Sequence, residues 1–440
     1  MRSRAVAVTA ASTAAALALA ACGGGGGGGG GGQEGGGGEE LVIWHMETPP
    51  NRVEAFNALA EKYNATDPEL PVSFQVQEWD QVYSKIAAAA QSGDQPDILF
   101  AIPDFATYVR EIGLGQPVTD VVERIDGEHG LVENATDPYH DEDYWAVPLF
   151  GMIQMLWYRG DMFREAGLEA PRTWDELRNA AETLTTEGRS GIALPAGKNL
   201  ATDQVIYSLM ITSGAANIFT EDEQVDFDKP ETVAAFELYD ELLQYSPPDS
   251  GNYAWGEPQA AFNSGAAAMA IEKGQYLSPW QEESGRPPED LGCAPIPTPA
   301  SGGQPGSIYY SNAAMILSDD QARADGAGAF LEWLVDPASY GDFLNAEPGL
   351  FLPVTEDGAD ESNWRQHEII STYQTCVDAM LEQSQTGELF GFVDGQYVER
   401  VGDISGQNLL AQGIQQMYVN DMSPQDAVTW THEQMQAAIE

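Results

Sequence analysis

Cysteine, basic residues, histidine and long apolar runs are all scarce in this 440-residue chain, and each shortage excludes something. Apart from Cys22, the only cysteines are Cys293 and Cys376. An oxidising setting permits them to pair, but nothing in their spacing fixes whether they do. The five histidines, His45, His129, His140, His367 and His432, are dispersed, so no structural zinc and no cofactor is expected. Lys and Arg number 19 against 69 Asp and Glu, a formal charge of -50. Such a surface repels nucleic acid and anionic lipid, and disfavours an anionic ligand unless a cationic pocket is built locally. It also suits salty surroundings, where screening relieves self-repulsion. The acids are interspersed with apolar residues, which argues for a folded body. No apolar run beyond the N-terminus reaches spanning length, so a soluble body is expected. The chain has no Gly-x-Ser-x-Gly elbow and no His-Glu-x-x-His motif.

What is present begins with "MRSR", then "AVAVTAASTAAALALAA", then Cys22. A basic start, a short apolar stretch and small residues at the cut make a secretory signal over 1–22. Leu19-Ala20-Ala21-Cys22 resembles the bacterial lipobox, which implies lipidation at Cys22. Residues 23–39 are almost all glycine. They read as a flexible tether with a reach of about 25 Å. A phosphate loop is excluded because no strand precedes the glycines and no Lys-Ser/Thr comes after them. About 400 residues remain, a length at which two domains are the prior.

The body reads as alternating strand and helix. "ELVIWHM", "LPVSFQVQ" and "PDILFAI" are strand-like, each followed by a helical pattern. Asn51 with Glu54, and Thr173 with Glu176, have capping-box spacing. The alternation predicts a parallel sheet with right-handed crossovers, and a ligand beyond the carboxyl ends of its strands. Three stretches, "YWAVPLFGMIQMLWYRG", "GSIYYSNAAMIL" and "LFLPVTEDG", read as crossings between two sequence-discontinuous domains. Such pairs close about their crossings.

At this point "LWYRGDMFREAGLEAPRTWDELRNAAETLT" resembles the start of the second lobe in extracellular solute-binding proteins of sugar ABC importers. "QSGDQPDILFA", "YWAVPLF", "AFNSGAAAMAIEKGQY" and "LFLPVTEDG" are similar to other stretches of that family, in the same order, over about residues 40 to 440. The resemblance implies an α/β periplasmic-binding-protein-like type II fold, with two discontinuous α/β lobes joined by hinge crossovers. We expect 40–150 and 312–350 in lobe 1, and 151–311 and 351–440 in lobe 2. It further implies a monomeric, extracellular, lipid-anchored substrate-binding component that hands a small-molecule solute to an ABC permease. Arg159 and Tyr276 stand where Asn and Trp are frequent in the family, so membership alone does not name the ligand.

A sugar offers C–H faces to aromatic rings and hydroxyls to carboxylates and amides. Loop tips carrying both residue types are therefore the candidates. The first strand end offers Trp44, His45 and Glu47. The second offers Trp79 and Asp80, and the third Asp104. The loop after "AIEKG", which the resemblance places at the cleft, offers Gln275 and Tyr276, with Trp255 before it. The crossing "YYSN" offers Tyr309, Tyr310 and Asn312, and the tail offers Asp394. Trp44 reads equally as core, Glu47 and Asp80 as helix-end residues, and only one of Tyr309 and Tyr310 can face a ligand. Asp97 reads as a turn or cap residue and Trp174 as core. These candidates favour a mono- or oligosaccharide. The alternatives are a polyamine, peptide or other small solute on the same fold, or a secreted glycoside hydrolase, for which 69 acids make coincidental carboxylate pairs inevitable.

Overall fold

Strand follows helix from Leu41 onward because short runs of alternating or continuous apolar residues are each punctuated by a turn signal. The computed structural model describes residues 40–135, 139–140, 143–393, 396–398 and 400–440. The signal, the tether, Cys22 and Asp394 lie outside the described residues. Strand β1 (Leu41–His45) leads to helix α1 (Pro50–Asn64), β2 (Val72–Val76) to α2 (Trp79–Ser92), and β3 (Ile98–Ala101) to α3 (Asp104–Glu111). Helix α2 stops at Gly93, whose φ of 77° is the left-handed conformation that glycine adopts without strain. β1 lies between β2 and β3, parallel to both, with Leu41 opposite Val72 and Ile43 opposite Ile98.

After a short pair, β4 (Tyr139–His140) and β5 (Asp143–Tyr144), come β6 (Val147–Ile153) and β7 (Met155–Arg159), separated by Gln154 alone. Strand β6 belongs with the first sheet, while β7 is the centre of a second sheet flanked by β8 (Met269–Glu272) and β9 (Leu291–Ala294). The return crossing is β10 (Ser307–Ile316). It pairs antiparallel with β6 along most of its length and with β3 at its end, and touches β11 (Gly387–Glu388) at its start. A hairpin of β12 (Phe392–Val393) and β13 (Gln396–Tyr397) comes next. The third crossing forms no strand; Gly151 and Leu352 exchange backbone hydrogen bonds of 2.8 and 2.9 Å as an isolated bridge. The result is two α/β lobes, each built from separated pieces of chain, joined by crossings. The described body lies in one compact unit, Gly38–Glu440.

Every residue of β3, β6 and β10 is buried. Continuous apolar strands are what a sheet covered on both faces requires. An aromatic cluster fills the first lobe and takes in Phe351 from the third crossing. Phe150 stacks on Phe351 at 3.8 Å, and Phe56 lies within 5.2 Å of Phe74 and 5.6 Å of Phe343. At the crossings, Gln154 accepts a 2.7 Å hydrogen bond from Ser208, whose hydroxyl also receives Ile308 N at 3.1 Å. That polar knot fixes β10 beside the β6–β7 junction.

The Thr173–Glu176 capping box forms as expected. The Asn51–Glu54 box does not: Pro49 occupies the N-cap, and Asn51 Nδ2 donates instead to Glu347 at 3.1 Å. Asp97 accepts Val42 N and two hydrogen bonds from Arg323, consistent with its turn reading. Trp174 is buried, with Nε1 donating to Pro297 O at 2.9 Å. The two body cysteines do pair, joining β9 to the helix Gln374–Ser384 across 83 residues of sequence. Among the described residues no helix is long and apolar enough to cross a membrane.

Candidate functional site

The carboxyl ends of β1, β2 and β3 open onto a cleft, as the strand-end rule requires. Its floor on this side is made by the residues just past each strand: Met46 and Glu47, then Glu78 and Trp79, then Ile102 and Asp104. The facing wall comes from the second lobe: Leu200 and Gln204 at the start of the helix Leu200–Ser213, Trp255, and the loop that leaves β8 at Lys273 and Gln275. The cleft has two adjoining parts of about 390 and about 380 Å³, each within the size range of small-molecule sites.

Glycine sets the β8 loop. A Cβ on Gly274 would fall 1.8 Å from the Gly349 carbonyl oxygen, so only glycine lets this loop pass so close to the chain that places Leu350 in the cleft. Lys273 sits just before it, its side chain only 7% exposed. Its Nζ donates to Gln204 Oε1 at 2.6 Å and to Glu272 Oε1 at 2.9 Å, and lies 5.9 Å from the centre of the Trp255 ring. An ammonium so buried needs those acceptors to offset its lost hydration, and the cation over the indole face adds attraction and steadies the ring. On the opposite wall Arg52 donates to Glu47 at 2.6 Å and to Glu347 at 2.9 Å. The cations lining the cleft are thus already bound to carboxylates of the same protein, and what they leave for a ligand is hydrogen bonding rather than net positive charge.

Asp104 stands at the start of α3. One of its oxygens accepts Ser405 Oγ at 2.7 Å and Tyr83 OH at 3.4 Å, while Oδ1 is buried without a partner. Burial pushes its carboxyl up from the ordinary value, and the Ser405 hydroxyl partly holds it down. Gln275 Oε1 is likewise buried without a partner, while its backbone carbonyl accepts Gln259 Nε2 at 2.8 Å.

Of the residues expected from sequence, Glu47, Trp79, Asp104, Trp255 and Gln275 line the cleft. Several others do not. Trp44 lies half-buried on the sheet, with Nε1 donating to Gln75 at 3.2 Å, because β1 runs on past it. His45 takes the alternate face and is buried, 4.8 Å from Phe56. Tyr276 is fully buried, its ring parallel to Trp157 at 5.4 Å; in the tight turn Gly274–Tyr276, Gln275 faces out and its neighbour faces in. Tyr309 is buried over Gly151, where a Cβ would come within 2.5 Å of its hydroxyl. Tyr310 is buried behind the cleft, beside Asp203 and Ser405. Asn312 is buried, with Nδ2 3.9 Å from Met152 Sδ. Asp80 is the second residue of α2; its side chain, like Asp394, lies outside the described residues.

Arg52, Gln204, Gln259, Lys273 and Ser405 escaped the sequence reading. Only Lys273 carried a signal, in "EKG": a cation next to an acid at a strand end, before a glycine.

Burial holds the His45 imidazole down at about 4. The unfolded chain, titrating near 6.5, therefore takes up a proton that the folded chain refuses between those pH values. Stability should fall by about 3 kcal/mol through this group as pH drops from about 6.5 to about 4, and be unaffected by it above. Comparing urea midpoints of the wild type and His45→Phe at pH 7, 5 and 4 checks this. The variant should lose less on acidification, and parallel losses would refute the assignment.

The sequence profile of a family described as "Bacterial extracellular solute-binding protein" matches residues 49–340. The putative ABC transporter periplasmic-binding protein YcjN of Escherichia coli (strain K12) is 24% identical over 384 residues, covering 85% of this chain and 87% of that protein. The maltotriose-binding protein of Pyrococcus abyssi (strain GE5 / Orsay) is 22% identical over 83% of this chain and 78% of its own. Among solved structures, an ABC transporter solute-binding protein from Thermotoga lettingae bound with alpha-D-tagatose superposes with a TM-score of 0.76 at 21% identity, covering 91% of this chain and all of that one. This likeness establishes the fold.

Proposed function

The chain belongs to the family of bacterial extracellular solute-binding proteins, and from that premise we propose that it captures a carbohydrate, a mono- or oligosaccharide, between its lobes for an ABC importer. The family's work is binding, outside the cytoplasm, and not catalysis. The single observation that carries the sugar reading is that one cleft is lined by an indole from each lobe, Trp79 and Trp255, among amides and paired ions. Aromatic faces suit the C–H patches of a sugar ring, and fixed acceptors and donors suit its hydroxyls. The maltotriose and tagatose of the relatives support the same class of solute.

In this reading 40–150 with 312–350 form lobe 1, and 151–311 with 351–440 form lobe 2. Solute first meets one lobe, and contacts from the other favour the closed state, so differential affinity supplies the shift. The monomeric protein is anchored by lipid on Cys22, with 23–39 as its tether, and delivers solute to the permease at the outer face of the membrane. Glu47, Trp79, Asp104, Trp255 and Gln275 are the proposed ligand contacts.

A thermal-shift screen of the mature domain against sugars, polyamines and short peptides tests the solute class. Saccharides should raise the melting temperature, and small-angle scattering should show the protein contract with the same compounds. Stabilisation by polyamines or peptides alone would reject the carbohydrate reading in favour of a cationic or peptide solute.

A further inference from the structure

The two parts of the cleft differ in chemistry and share a largely apolar border. Trp79, Ile102, Leu200 and Trp255 border both. The first chamber, about 390 Å³, continues toward Glu47, Arg52, Gln204, Lys273 and Gln275, so its amides and paired ions stand among apolar side chains such as Met46, Met152 and Leu350. The second, about 380 Å³, continues toward Tyr83, Asp104, Asn199, Ser405 and Asn408, so hydroxyls, amides and one carboxyl line it beside the Phe105 ring. Each chamber alone has the volume of a small-molecule site.

Each chamber also has a buried acceptor without a partner: Gln275 Oε1 in the first and Asp104 Oδ1 in the second. Asp104 is only 6% exposed. A buried acceptor is costly to leave unmatched, and a ligand hydroxyl reaching it as the lobes adjust gains what that mismatch withheld. One ring seated in one chamber can answer only one of them. Two linked rings answer both and leave the linkage, with its C–H flanks and few donors, between the indoles.

We propose that the solute has at least two linked sugar rings, one in each chamber, with the glycosidic linkage held at the Trp79–Trp255 border. This rests on the carbohydrate reading above and goes further in fixing a minimum length. The border sets that length because a hydroxyl-rich ring centre would find few partners there, whereas an ether linkage flanked by C–H loses little.

Isothermal titration calorimetry on the mature protein tests it, using glucose, galactose, mannose and xylose beside their disaccharides and trisaccharides in several linkages. At least one disaccharide should bind about 100-fold or more tightly than its monosaccharide. Gln275→Ala and Asp104→Asn should then each weaken that disaccharide about tenfold, one acceptor being lost from a different chamber in each case. The monosaccharide should respond to only one of the two substitutions. A monosaccharide binding within tenfold of every oligomer in its series overturns the proposal using the wild type alone, whatever the variants do. So does a disaccharide indifferent to either substitution in a variant whose circular dichroism is native. A panel in which no sugar of any length binds, while spermidine or a peptide does, removes the carbohydrate reading itself and is a different result from either.

Discussion

Replacing Cys293 and Cys376 together by serine is expected to lower the unfolding free energy by about 4 to 5 kcal/mol. The pair closes a loop of 83 residues, and the chain-entropy cost of leaving such a loop open in the unfolded state is of that size. Location adds to the effect. Cys293 lies in β9 of the second sheet, and Cys376 in the helix Gln374–Ser384, which packs on β9 and also on the crossings β6 and β10. The cross-link therefore ties the second sheet to a helix that supports the junction between lobes. Urea unfolding of the wild type, the double variant and the wild type in dithiothreitol checks this. The last two should coincide at a lower midpoint, and a loss under about 1 kcal/mol would reject the entropic account.

The second large effect concerns binding. Trp79→Ala and Trp255→Ala are each expected to weaken the proposed sugar complex by about 2 kcal/mol, near 30-fold, as buried aromatic anchors do. They come from opposite lobes and share only the ligand, so the double variant should lose about 4 kcal/mol, near 1000-fold. Trp255 also carries the Lys273 ammonium on its face, so Trp255→Phe, which keeps an aromatic face, should recover part of the loss. Titration calorimetry with the saccharide identified by thermal shift provides the measurement. A ring whose removal changes affinity less than threefold is not a stacking platform, and the site would have to be redrawn around the other wall.

Much of this was legible because periodicity is local. The three strand–helix units and the Thr173 capping box all follow from residue types within a few positions of one another. The strand-end rule then pointed to loops that border the cleft, with Glu47, Trp79 and Asp104 among its candidates. It erred where side-chain direction depended on a single residue. His45 and Tyr276 sit one or two positions from cleft residues and face the core instead. The crossing misled for the same reason: β10 is covered on both faces, so neither Tyr309, Tyr310 nor Asn312 reaches the cleft wall directly.

The sequence by itself determined the α/β alternation, the strongly acidic composition and the kinship to solute-binding proteins, since each is written in residue types and their order. Only the tertiary structure decided that Cys293 meets Cys376, that Lys273 is held by Gln204 against Trp255, and that an indole from each lobe lines the same cleft. Those pairs lie tens to hundreds of residues apart. Their meeting is fixed by how two sheets pack about shared crossings, and short-range pattern carries no record of such packing.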